Sequence, residues 1–223
     1  MSAPERVLLI ACGALAREVR ALLAQPGFAH LDLVCLPASL HNRPERIPDA
    51  VRARIREARG RYRRIYLLYG DCGTGGALDR VLAEEGVERI AGPHCYAFYE
   101  GLETFAARAA AEPACFYLTD FLVRQFDTLV VRGLGLDRHP ELLPVYFGNY
   151  RKLVHLAQTD DAVLQAEGRR AAQRLGLEYE YRFTGYGDLA AFVERAARRG
   201  EDGTADPGVL AGHTGPGDRP RRP

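Results

Sequence analysis

Residues 6–13 read Arg-Val-Leu-Leu-Ile-Ala-Cys-Gly, and their pattern decides the fold class. A short, unbroken apolar run is what a strand buried on both faces requires. Cys12 and Gly13 interrupt it, and Ala14 to Ala24 then follows a helical period. The alternation continues outward from there. Leu31 to Leu36 (LDLVCL) and Arg64 to Tyr69 (RIYLLY) are further strands, separated by a long loop through Pro37 to Pro48 and an arginine-rich helix. Glu88 to Ala91, Ala114 to Leu118, Leu153 to Ala157 and Glu178 to Phe183 complete the strand set. Helices are expected over residues 77–85, up to Ala111, and over 120–131, 161–175 and 188–198. This order predicts an α/β fold with one open, mostly parallel, Rossmann-like sheet, helices on both faces and the site along the carboxyl edge of the strands. Residues 1–199 form a single domain on this reading. The Gly-, Pro- and Arg-rich stretch 200–223 has almost nothing to bury and is expected to be disordered.

Composition removes several function classes. Of 223 residues, 47% are hydrophobic and 26% charged, and the formal net charge of +1 gives nucleic acid no electrostatic footing. The many arginines spread along helices such as Val51 to Arg64, where a solvated face accounts for them. No apolar run approaches the roughly 18–20 residues that cross a bilayer, so no membrane role is expected. Val7 to Ala11 is too short and too soon followed by charge to be a signal peptide, which places the protein in the cytoplasm. Five cysteines in a reducing compartment are core residues, metal ligands or reactive thiols rather than a disulfide framework.

Three strands end in unusual chemistry: Cys12-Gly13, Asp71-Cys72-Gly73 and His94-Cys95. Ligands of open parallel sheets bind outside the carboxyl ends of strands, and neighbouring strands lie about 5 Å apart. Topology therefore brings Cys12, Cys72, His94 and Cys95 together although they are distant in sequence. Thiolates with an imidazole suit zinc first, with an iron–sulfur centre behind it. Against this stands the commonest fate of a free cysteine, burial as a small hydrophobe. Cys35 and Cys115, inside apolar runs, are read that way.

The loop Gly70-Asp71-Cys72-Gly73-Thr74-Gly75-Gly76 opens a helix. Gly73, Thr74, Gly75 and Gly76 are candidates to present backbone amides to a bound carboxylate or phosphate, although the loop matches neither a Walker nor a dinucleotide fingerprint. A tight turn explains the glycines equally well. Asp71 is a candidate general base or a helix cap. His41 and Asn42 sit in the loop after the second strand, where they are placed to close over substrate, His41 as an acid–base group. Tyr96 follows the Cys95 position and is a further binding candidate. Tyr146 to Tyr150 is a dense aromatic loop suited to a pocket wall or to core packing. Asp120, Asp137 and Arg138 read as polar groups of the same edge, as caps or as ion pairs.

The set formed by Ala11-Cys12-Gly13, Leu36 to Asn42 with Pro44, Tyr69 to Gly76 with Leu78-Asp79, and Gly92 to Tyr96 resembles domain-of-unknown-function family 1638. Leu118 to Phe121, Leu134 to Asp137, Tyr146 to Tyr150 and Thr184 to Gly187 extend that resemblance, which runs from Val7 to Phe192. The resemblance implies an association with corrinoid-dependent methyl-transfer proteins as partners, and a corrinoid as a cofactor ranking behind zinc.

The expectation is a zinc–thiolate enzyme of one-carbon or methyl-group metabolism acting on a small molecule. Cys12, Cys72 and Cys95 hold the metal, His94 serves as fourth ligand or acid–base group, and Asp71 and His41 position substrate or move a proton. Two alternatives remain open. One is a non-catalytic accessory protein that handles a metal or corrinoid; the other is a metal-free enzyme with Cys72 as nucleophile and His94 as its base.

Overall fold

The computed structural model describes residues 6–201, with side chains through 199. The strands are β1 Val7–Cys12, β2 Leu31–Leu36, β3 Arg64–Leu68, β4 Glu88–Arg89, β5 Cys115–Thr119, β6 Lys152–Ala157 and β7 Glu178–Phe183. The helices are α1 Ala16–Leu23, α2 Ile47–Ala58, α3 Ala77–Glu85, α4 Cys95–Glu100, α5 Leu102–Ala111, α6 Asp120–Arg124, α7 Leu143–Phe147, α8 Ala162–Leu175 and α9 Gly187–Glu201. All strand pairs are parallel, as the alternation of strands with helices predicts.

The strands divide between two sheets where one was expected. The first has the order β2-β1-β3-β4 and the second β5-β6-β7. All six residues of β1 are buried, and it is hydrogen-bonded on both sides, so it is the spine of the first sheet. Burying an aliphatic side chain of this size stabilises by about 1.5–3 kcal/mol. That face-to-face burial is why β1 reads as a continuous run and not as an alternation. Val19 and Leu22 of α1, Val51 and Ile55 of α2, and Leu78 and Leu82 of α3 complete its core. In the second sheet, Leu118 and Leu153 pack with Leu164, Ala171 and Leu175 of α8, while Val154 and Leu156 pack toward Tyr96 of α4.

The chain then returns. α9 follows the last strand of the second sheet but packs Leu189, Phe192, Val193 and Ala196 into the first core. The two sheets meet at their carboxyl edges: the 3-10 turn Gly13–Leu15 after β1 touches α6, which follows β5. The expected helix over 120–131 is in fact α6 followed by a π-helical stretch, Phe126–Arg132. Apart from Gly200 and Glu201, in α9, the expected tail lies outside the described residues. Among the described residues no helix is long and apolar enough to cross a membrane.

The return depends on Gly187. Its φ is +45°, and a Cβ there would stand 2.2 Å from the Tyr99 carbonyl oxygen. Gly187→Ala is therefore expected to lower unfolding stability by about 2–4 kcal/mol, through a clash with backbone that cannot yield. Urea denaturation followed by circular dichroism measures it, and an unchanged midpoint would refute the close approach.

Candidate functional site

Four loops at the carboxyl edge of the first sheet form the site, and glycines set their spacing. Gly13 has no room for a Cβ, which would lie 2.9 Å from the Leu36 carbonyl oxygen at the end of β2. At Gly70 a Cβ would lie 2.7 Å from the His94 Cα. The loops after β3 and β4 are also joined by backbone hydrogen bonds, Asp71 N–H to Gly92 O at 3.2 Å and Cys72 N–H to Pro93 O at 2.8 Å. Cys72 itself takes a positive φ of 50°. A non-glycine residue in that conformation is uncommon and marks a constrained loop.

Cys12 is buried, and its Sγ accepts the Ala14 N–H at 3.4 Å, capping the turn that follows β1. His41 Nδ1 lies 3.6 Å from that sulfur and 3.1 Å from the Ala38 carbonyl oxygen. A carbonyl only accepts, so Nδ1 carries the proton and Nε2 keeps its lone pair. The His41 ring stacks on Tyr69 at 5.8 Å, and desolvation holds its pKa below the usual histidine value. Tyr69 is 1% exposed, and its hydroxyl lies toward Cys12 outside hydrogen-bond geometry, so it has no partner.

The three thiols share one electrostatic environment around Tyr69. Burial and then the charges of Cys12, Cys72 and Cys95 push the Tyr69 phenol up. Burial, followed by Cys12, pushes Cys72 up to about 12. Burial raises Cys95 above the ordinary thiol range, with Cys72 and Cys12 adding to it, and burial also raises Cys12. Each thiolate would be formed at the expense of the other two. Among the described residues, no three His, Cys, Asp or Glu side chains stand in an arrangement that could hold an ion. All five cysteines are free thiols; Cys35 is exposed and Cys115 is buried.

The remaining sequence candidates fall into three places. Asp71 organises its own loop: Thr74 Oγ1 donates to it at 2.5 Å, the Gly76 amide at 2.9 Å and the Gly75 amide at 3.2 Å. Burial would raise Asp71, but these bonds and Arg89 outweigh it and keep the carboxylate ionised. The Gly75 and Gly76 amides thus turn inward onto Asp71, while Gly73 is exposed beside Pro44. Asn42 ends the 3-10 turn Ala38–Asn42 and is exposed. His94 caps no amide with its side chain; its ring packs 4.9 Å from Tyr96 and 5.1 Å from Phe105. Burial lowers its pKa, and its Nδ1 is buried without a partner. Tyr96 belongs to that aromatic cluster, 5.6 Å from Tyr117.

Two features went unread in the sequence. His155, in the middle of β6, donates from Nε2 to Asp120 Oδ1 at 2.9 Å and accepts from Tyr179 at Nδ1, 3.0 Å away. Asp120 Oδ2 accepts the Thr159 amide at 2.9 Å and its hydroxyl at 2.6 Å. The second feature is Glu18 of α1, 4% exposed, whose Oε2 has no partner. Both carried a signal. A histidine inside the apolar run LVHLA requires a buried partner, and Glu18 lies at helical spacing from Leu15 and Leu22 on the buried stripe.

A sequence model of the family described as "Protein of unknown function (DUF1638)" matches residues 35–193 of this chain. No curated protein and no solved structure matches it.

The buried Asp120–His155 pair makes a measurable statement. Burial would raise Asp120, but His155 and Thr159 overcome it and lower the carboxyl below its usual value. With Nδ1 accepting from Tyr179, His155 is neutral, so Asp120→Asn removes a charge-assisted hydrogen bond and is expected to lose about 1.5–3 kcal/mol of stability at neutral pH. The contribution is fully present above the unfolded carboxyl pKa of about 3.9 and is lost as pH falls through the lower folded value. Urea unfolding from pH 7 down to acid should therefore show wild type and variant converging; a constant gap would refute the ionised carboxylate.

Proposed function

We propose a function for a chain that belongs to the DUF1638 family of proteins of unknown function: a zinc–thiolate enzyme acting on a small molecule, with methyl-group transfer as its reaction class. The observation that supports it is the gathering of Cys12, Cys72 and Cys95 around the buried, unpartnered Tyr69 hydroxyl. Thiols so placed oppose one another's ionisation, and a soft divalent cation removes that opposition. The thiols do not share one point in the ion-free protein. The ion would draw them together as it binds, which metal sites commonly require.

Three protein ligands leave a coordination position open for substrate. Zinc supplies a lowered pKa to a bound thiol, amine or water there. The other roles belong to this chain. Tyr69 offers its free hydroxyl to a thiolate or to the substrate atom beside it. His41, with Nδ1–H fixed on Ala38, presents the Nε2 lone pair as a base. Asp71 holds the Cys72 loop in shape through Thr74, Gly75 and Gly76 and is a positioning residue. Free cysteines throughout the chain suit a reducing compartment, and the cytoplasm is the proposed setting for that reason.

A metal-free nucleophile at Cys72 is less well supported. A reactive thiol needs a lowered pKa, whereas burial and Cys12 push Cys72 up to about 12. Metal-free protein is thus expected to react with iodoacetamide at Cys72 far more slowly than an unfolded control does.

Metal content by mass spectrometry on protein purified without an affinity metal tests the main reading. About one zinc per chain is expected in wild type and loss of it in Cys72→Ser. Zinc affinity should climb about tenfold per pH unit for each thiol proton released, because all three thiols are protonated near neutrality. Wild type that takes up no zinc after reconstitution overturns the reading.

A further inference from the structure

Among the described residues, five buried side-chain atoms lack a hydrogen-bond partner, and three of them frame the cysteine edge: Glu18 Oε2, Tyr69 Oη and His94 Nδ1. An orphan of this kind costs about 1–3 kcal/mol, so its retention calls for an explanation. Glu18 is the most demanding of the three, because a carboxyl is the hardest of these groups to strip of water.

Glu18 stands in the first turn of α1, just beyond the Cys12 turn, where the two halves meet. The groups whose charge acts on it or is acted on by it are Asp120 and Arg124 of α6, Arg17 of its own helix, Cys95 and Tyr99 of α4, and Tyr186 in the turn before α9. Asp120 is already engaged at both oxygens by His155 and Thr159. Arg124 is half-buried and makes no hydrogen bond or ion pair with the described residues. The surroundings therefore divide the two carboxyls. Hydrogen bonds hold Asp120 ionised, while burial raises Glu18, with Asp120 adding to the effect. Carboxyls separated in this way take the roles of anion and acid.

We propose that Glu18 is the acid of the cysteine cleft, its free carboxyl donating to an acceptor oxygen of a small molecule bound between the two halves. An oxygen bearing negative charge is favoured, since the neutral acid and Arg124 both stabilise it. The acid–base role expected of His94 passes to Glu18 in this proposal, because the His94 ring lies in an aromatic cluster, and Asp71, expected as a base, is engaged by its own loop. The proposal rests on the reading of the cysteine edge as a reaction site and does not depend on zinc.

Dicyclohexylcarbodiimide, an apolar reagent, tests it on the full-length protein. A protonated carboxyl adds its O–H across the C=N bond and rearranges to a stable N-acylurea; an ionised carboxylate does not. Peptide mapping is expected to find the adduct on Glu18 and not on Asp120. Labelling should fade as pH rises through the raised Glu18 value and be lost in Glu18→Gln. In parallel, Glu18→Met should melt several degrees higher than wild type, because a group kept for function at the expense of stability is improved by an apolar replacement. An unlabelled Glu18, or a lower melting temperature for Glu18→Met, overturns the proposal and makes the residue structural. Zinc uptake by Glu18→Gln is expected to match wild type, so a protein that labels at Glu18 but binds no zinc refutes the metal alone.

Discussion

The distance between strand-end loops is set by backbone rather than by side chains, and the rest of the site inherits that spacing. Gly13 lies against the Leu36 carbonyl, and Gly70 against the His94 backbone, each at a separation that no Cβ could share. Hydrogen bonds from Asp71 and Cys72 to Gly92 and Pro93 then close the second contact. With the loops held this way, the cysteines one or two residues from these glycines have little freedom to separate. The cost is visible at Cys72, which takes a left-handed φ. Such strain persists only when the surrounding structure over-determines it.

Thiols brought together under apolar cover face a conflict between solvation and charge. Burial favours the neutral form of each, and proximity penalises the second and third ionisation further. A site of this kind is quiet as a set of thiols and becomes basic only when a cation supplies the missing charge. The same logic separates it from a nucleophilic cysteine site, where a helix terminus or a histidine lowers one thiol on its own. Here His41 stands near Cys12, but its proton is committed to Ala38, and the charge of Arg89, which favours the Cys72 thiolate, is outweighed by burial and by Cys12. The arrangement suits binding followed by activation better than direct attack.

Much of this was legible in the residues. Apolar runs located the first three strands to within a residue, most plainly β1, whose burial along its whole length leaves no polar interruption. β2, at the sheet edge, carries Asp32 and exposes Cys35, where its apolar run predicts burial. Cysteines at strand ends were readable from topology alone. The division into two sheets was not readable, since it depends on which strand edges pair, and apolar runs are silent on pairing partners. Asp71 shows a different limit. Its type and position fit a base or a cap equally well, and only the inward turn of the Gly75 and Gly76 amides decides how it is used. Glu18 was hidden by its helix, where one acidic residue among charged neighbours looks solvated until the packing of the fold buries it.

The two halves contribute differently to the edge they share. The first sheet supplies sulfur and aromatic groups on loops held by glycines. The second supplies charge, with Asp120 anchored through His155 in the central strand and steadied by Thr159. Gly168 of α8 permits this, since a Cβ there would lie 2.9 Å from the Tyr179 ring and 3.2 Å from His155 Nδ1. A fixed anion so deep is expensive unless every lone pair finds a donor, and that completeness makes its position insensitive to what binds nearby. Glu18, by contrast, has been left incomplete beside it. A rigid, satisfied carboxylate next to an unsatisfied carboxyl is a polarised arrangement, and α9, anchored in the first core but fed by the second sheet, holds the halves in the register that keeps it so.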